Sequence, residues 1–226
     1  MKIEKEYINH FFDSLSNNLE DREKIDISIA LMESRAHYIL GIDESYENLY
    51  IDPEVDIVNS NPQVIQQVKE ELECFLKLIL RNDTKKMLQI GLGHFASTHF
   101  VLSLLLDHIY TIEYDGLHYE RYKDEINPYR ETIFVGDSTS EETIGLAKDL
   151  GPFDCLFIDG NHSYEYVKKD LDNYSPLVKS GGIVSLHDAN FEGERYGTPR
   201  VIRETDHNWK KISHSDEVGI AYFIKV

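Results

Sequence analysis

Apolar residues recur along the chain with two different spacings, and the change between them divides it near Lys86. Before that point the spacing is helical: Ile8, Phe11, Phe12, Leu15 and Leu19 share one helix face. A second amphipathic stretch covers residues 25–40 and stops at Gly41, a residue suited to closing a helix. Residues 46–61 have no period and are rich in acids and turn formers. Asn61-Pro62 then opens a third expected helix, with proline in its first turn. It runs to about Leu80 and carries Val64, Ile65, Val68, Leu72, Phe75, Leu76 and Ile79. After Lys86, short apolar runs alternate with helix-like segments. Strands are expected at 87–90, 108–112, 132–135, 154–158 and 182–186, a helix at 199–205, and an antiparallel strand pair at 209–214 and 219–226, joined by a short link. This alternation predicts an α/β fold: a Rossmann-like, doubly wound sheet of about seven strands, the last antiparallel, with an N-terminal helical extension. Residues 1–85 form the extension or lid, and 86–226 the domain.

The first run of the sheet region ends in Gly91-Leu92-Gly93, with Ala96 three residues later at the head of a helical segment. Glycines let the chain turn sharply and approach a ligand closely, and a helix N-terminus offers free N–H groups to an anion. Glu113 ends the second strand 22 residues after Gly91, the distance at which an acid meets a ribose hydroxyl. The inference is a site for an adenosine-bearing cofactor. The other strand ends carry Asp137, Asp159 and Asp188, so four carboxylates and a glycine turn converge on the edge where open α/β sheets bind ligands. His162, three residues beyond Asp159, is a proton acceptor at neutral pH. Asp159 and Asp188, on neighbouring strand ends, are close enough to share a divalent cation, which would offset their repulsion and acidify a bound hydroxyl.

Composition narrows the partners. A net charge of −18 argues against nucleic acid and against an anionic membrane surface. Cys74 and Cys155 lie in apolar segments and read as buried free thiols, which suits a reducing compartment. The first six residues lack an apolar signal core, and no run reaches the ~20 apolar residues of a membrane span. A cytoplasmic location is expected. The amphipathic N-terminal helices could supply a homodimer surface.

The Gly91–Gly93 turn, Glu113, Gly136-Asp137-Ser138, the run Ile158-Asp159-Gly160-Asn161-His162-Ser163-Tyr164 and His187-Asp188 together resemble the class I S-adenosylmethionine-dependent methyltransferases. More narrowly, they resemble the branch that includes sugar and antibiotic O-methyltransferases. The resemblance covers about residues 86–226. It implies that the Gly91–Gly93 turn holds the methionine end of the cofactor with Gln89 near its amine, that Glu113 binds the ribose hydroxyls, that Asp137 and Ser138 lie near the adenine, and that His94 and Asp159 also belong to the cofactor site. It implies His162 as general base beside Asp159, and Asp159, His187 and Asp188 as ligands of magnesium or another divalent cation. Gln89 stands where many members carry an acid, and His187 where metal-dependent relatives often place a carboxylate. A mix of His162, His187 and two aspartates would also suit manganese, iron or zinc. The expected reaction is methyl transfer to an oxygen of a small molecule or saccharide. The rivals are a nicotinamide-dependent oxidoreductase on the same glycine turn, a non-catalytic binding protein of this fold, and a mononuclear iron site built on His162, His187 and an aspartate.

Overall fold

The structure, a computed structural model, describes residues 19–40 and 65–226 apart from 192, 194 and 214–217. The expected helix through Ile8 to Leu15, the Gly41 helix end, the irregular stretch 46–61, the Pro62 helix start and most of the link between the last two strands lie outside the described residues. Within them the order is α1 (Asp21–Leu40), α2 (Lys69–Arg81), β1 (Lys86–Ile90), α3 (Ser97–Leu105), β2 (His108–Glu113), α4 (Gly116–Tyr122), β3 (Glu131–Val135), α5 (Glu141–Leu150), β4 (Phe153–Ile158), α6 (Tyr164–Tyr174), β5 (Val178–Leu186), α7 (Thr198–Glu204), β6 (Lys210–Ile212) and β7 (Ile220–Ile224). The seven strands form one sheet in the order β3-β2-β1-β4-β5-β7-β6. β1 to β5 are mutually parallel. β7 runs antiparallel to both β5 and β6, so the second strand of the terminal hairpin is the inner one.

Side chains alternate across the pleat and build a core on each face. Met87, Cys155, Phe157 and Ile183 point to one side, where α1, α2 and α3 pack. Leu88, Ile90, Leu156, Ile158, Val184 and Leu186 point to the other, against α6 and α7. The inward face of α1 is Ile25, Ile29, Met32 and Ala36, a helical repeat of three and four residues. Cys155 is buried, which pushes its thiol pKa up; Cys74 is half-buried, and the two are not joined in a disulfide. No described helix is long and apolar enough to cross a membrane.

The third expected helix starts later than its pattern suggests. Residues 65–68 are not helical, and the helix begins at Lys69, after Val68 with ψ 129°. Ile65 and Val68 are still core residues. Their apolar spacing suits a helix, but here it anchors an extended segment, because the glutamines between them make tertiary hydrogen bonds. Arg35 ties α1 to the sheet edge: its Nη1 donates to the Phe95 carbonyl at 2.7 Å and its Nε to Glu125 at 2.6 Å. Phe95 lies in the glycine turn, so the N-terminal helix buttresses that turn directly.

Asp170 on α6 is fully buried, and neither carboxylate oxygen has a hydrogen-bond partner. Burial pushes its pKa up to about 7, with the neighbouring Ser138 hydroxyl offsetting part of the shift. A carboxyl that ionises at higher pH when folded destabilises the fold progressively as pH rises from its unfolded value towards its folded one. Thermal stability should therefore fall between about pH 4 and pH 7 in the wild type. Asp170→Asn should flatten that fall, which calorimetric melting across this range would read directly. An unchanged slope would remove Asp170 as its source.

Candidate active site

The strand order reverses between β1 and β4, and ligands of open α/β sheets bind outside the carboxyl ends at such a point. Register brings the ends level. Ile90 pairs with Ile112 and Ile158, and Ile158 with Leu186, so Gly91, Glu113, Asp159 and His187 meet along one line. A cleft of about 310 Å3 opens there. Gly91 has φ +92°, and a Cβ on it would lie 2.0 Å from the Asp159 carbonyl oxygen. Its conformation and the close approach of the two strand ends both demand glycine. Ala96, at the N-cap of α3, is left-handed with φ 54° and makes no side-chain cap, and Ser97 and Thr98 at the start of α3 form part of the cleft wall.

Glu113 is buried, with both oxygens held: Oε2 accepts from Leu92 N–H at 2.6 Å and Oε1 from Asp115 N–H at 2.7 Å. His118 Nδ1 lies 3.3 Å from Oε1, and His118 Nε2 is 2.9 Å from His94 Nδ1. Burial, together with the neighbouring His118, lowers the His94 pKa. Gln89 donates from Nε2 to the Gly91 carbonyl at 2.7 Å, which leaves its buried Oε1 without a partner at the cleft floor. Gly136 and Ser138 line the cleft beyond Glu113, with exposed Tyr114 beside them. Asp137, between them in sequence, is half-buried. Its carboxylate accepts from the Thr139 N–H and hydroxyl, each at 2.8 Å, and these bonds hold its pKa below the usual range. It serves the turn before α5, a local role that short acids often take at strand ends.

The other half of the cleft collects the remaining sequence candidates. Asp188 has φ 55°, an uncommon backbone for a non-glycine residue that concentrates at functional sites. His162 Nδ1 lies 2.6 Å from Asp188 Oδ2. His187 Nδ1 stands between two carboxylates, 3.1 Å from Asp159 Oδ1 and 3.2 Å from Asp188 Oδ1, but in hydrogen-bond geometry with neither. Burial opposes charge on both imidazoles. The acids outweigh it, raising the His162 pKa and holding that of His187 well above the ordinary value. Burial likewise opposes the Asp188 charge, yet His187 and His162 hold its carboxyl well below the usual range. Among the described residues, ligand atoms of Asp159, His162 and Asp188 lie within 4.8 Å of one another, a grouping able to hold a metal ion.

Residues 88–189 match the family profile described as a methyltransferase domain. Residues 88–189 are thus a methyltransferase domain, and the sheet order β3-β2-β1-β4-β5-β7-β6 is that of the class I methyltransferase fold. This fold recurs in solved structures. A candidate caffeoyl-CoA O-methyltransferase from Staphylococcus aureus shares 19% identity at a TM-score of 0.57, covering 98% of this chain and 99% of its own. The O-methyltransferase TomG from Streptomyces achromogenes, solved with S-adenosylmethionine, shares 14% at 0.54 over the full length of both chains. MycE of the mycinamycin pathway, solved with Mg, S-adenosylhomocysteine and mycinamycin VI, shares 18% at 0.51, covering 67% of this chain and 48% of its own. At these identities the likeness establishes the fold. Comparison with curated proteins finds no match.

Class I methyltransferases draw their methyl group from S-adenosylmethionine, and the cleft of this methyltransferase fits that molecule. The glycine turn lines the cleft, and the unpartnered Gln89 oxygen can accept from an ammonium group. Sequence reasoning missed Gln66, Tyr114, His118 and Tyr196 on the cleft wall. Tyr114 was within reach, since it directly follows Glu113. The others come from segments whose pattern describes only packing.

Proposed function

We propose that this methyltransferase transfers the methyl group to a hydroxyl oxygen of a small molecule or saccharide. The observation that carries the reading is the His162–Asp188 pair at 2.6 Å, set at the mouth of the cofactor cleft beside Asp159. When bound, S-adenosylmethionine supplies an electrophilic sulfonium methyl. His162 then does the proton chemistry. Its Nδ1 faces the Asp188 carboxylate, which favours the tautomer protonated on that side and leaves Nε2 to take the acceptor hydroxyl proton as the O–CH3 bond forms and the S–CH3 bond breaks. Asp188 stabilises the imidazolium that results. Tyr196, whose ring centroid lies 5.2 Å from that of His162, bounds the acceptor side.

The donor set also fits a divalent cation held by Asp159 and Asp188, with His187 or His162 as nitrogen ligand. Such an ion would acidify the acceptor hydroxyl as a Lewis acid. Two carboxylates suit magnesium, and the imidazoles extend the choice to manganese, iron or zinc. Calorimetric titration of S-adenosylhomocysteine into chelator-treated protein, repeated with magnesium and manganese, tests cofactor and cation together. Mass spectrometry of hydroxylated acceptors then tests for a new O–CH3 group. Absence of S-adenosylhomocysteine binding under every condition would sink the reading.

Glu113 is assigned to the ribose. Glu113→Gln keeps the side-chain length and one carbonyl oxygen but removes the charge. A charge-assisted hydrogen bond contributes about 1.5–3 kcal/mol, so S-adenosylhomocysteine affinity should fall about 10- to 100-fold in the same titration. Unchanged affinity would remove Glu113 from the cofactor site.

A further inference from the structure

We propose that residues 65–68 are a strap that completes both halves of the active site, with Gln66 setting the cofactor turn and Gln67 setting Asp159. The part assigned to Gln67 rests on the cation reading above. The strap lies outside the residues that match the methyltransferase profile. Ile65 and Val68 anchor it in the core, and the two glutamines between them diverge to different partners.

Gln66 Oε1 accepts from the His94 N–H at 3.2 Å and lines the cleft. A Cβ on Gly93 would lie 2.7 Å from that oxygen, so the second glycine of the turn makes room for this side chain. Gln67 Nε2 donates to Asp159 Oδ2 at 3.0 Å. The other oxygen of Asp159 faces His187. One oxygen is thus pinned, the carboxylate cannot rotate freely, and Oδ1 stays aimed at the shared site. The donor is a neutral amide, so Asp159 is oriented without its charge being cancelled, as a lysine or arginine would do. Partners behind a metal ligand act in this way. Gln67 is 1% exposed and its Oε1 is buried without a partner. An unsatisfied buried amide oxygen is costly to keep and calls for an explanation. Orienting Asp159 supplies one.

The test uses the full chain in four variants: Gln66→Ala, Gln67→Met, Gln67→Asn and Asp159→Asn. Each is titrated by calorimetry with S-adenosylhomocysteine alone and with manganese alone, and each is melted. Gln66→Ala should weaken S-adenosylhomocysteine by about threefold to tenfold, the effect of one hydrogen bond, and leave manganese affinity as it is. Gln67→Met keeps the side-chain length without the donor, and Gln67→Asn keeps the donor without the reach. Either should weaken manganese about 10- to 100-fold while S-adenosylhomocysteine binding holds. Asp159→Asn marks full loss of the cation site. Gln67 variants that bind manganese like the wild type, while Asp159→Asn does not, would overturn the role of Gln67. Both ligands weakening together in every strap variant, with a lowered melting temperature, would overturn the division of labour and leave a structural strap. A wild type that binds no manganese would overturn the cation reading itself, and with it the part given to Gln67, leaving the Gln66 arm to stand or fall on S-adenosylhomocysteine.

Discussion

His162→Ala is expected to lower turnover about 100- to 10,000-fold, the range that a positioned general base contributes, while S-adenosylhomocysteine still binds. The imidazole is held by Asp188 at 2.6 Å and is not needed to seat the glycine turn. Alanine removes the proton acceptor and leaves the cofactor half of the cleft unchanged. The pH profile gives a second readout. The acids beside His162 raise its pKa, so a larger fraction is protonated at neutral pH and turnover should climb as pH rises through a value above that of a free imidazole. That acid limb should vanish in His162→Ala. Initial rates with a working hydroxyl acceptor, measured across pH, check both points. Full activity in the variant, or an acid limb that persists, would remove His162 from the proton transfer.

Gly91→Ala is expected to lower the melting temperature on the order of 10 °C and to abolish cofactor binding. The new methyl would sit 2.0 Å from the Asp159 carbonyl oxygen and 2.9 Å from Gly160 Cα, both backbone atoms that cannot step aside alone. Forcing a methyl into a packed site costs about 1–3 kcal/mol, and a left-handed conformation adds about 1–2 kcal/mol for a residue with a Cβ. Relief would separate the ends of β1 and β4, where the cleft lies. Gly145→Ala is the control. Gly145 lies inside α5 with nothing within 4 Å of the added carbon, so this change should leave stability unchanged or improve it by up to about 1 kcal/mol. Calorimetry on the two variants gives the contrast. Equal melting temperatures would contradict the close approach of the two strand ends.

Much of this protein can be read from its residues because the information is local. A period of two between turn signals marks a strand, Gly91 and Gly93 mark a tight turn, and an acid just past a strand marks its ligand-binding end. These rules were enough for the five parallel strands, each within a few residues of its observed bounds, and for the meeting of Glu113, Asp159 and Asp188 on one edge. Other features depend on groups far apart in sequence, which no local pattern encodes. Residues 65–68 have helical spacing, yet the strap stays extended because Gln67 finds Asp159, 92 positions away, and Gln66 finds the turn at His94. The inner place of β7, the pairing of His118 with Glu113 and the unpartnered burial of Asp170 are of the same kind. The sequence by itself determined the sheet, the cofactor turn and the acids at the strand ends, since each follows from backbone preferences and hydrophobic period. Only the tertiary structure decided which of those acids share a partner and which distant side chains hold them, because hydrogen bonds and desolvation act through space and are set once the elements have packed.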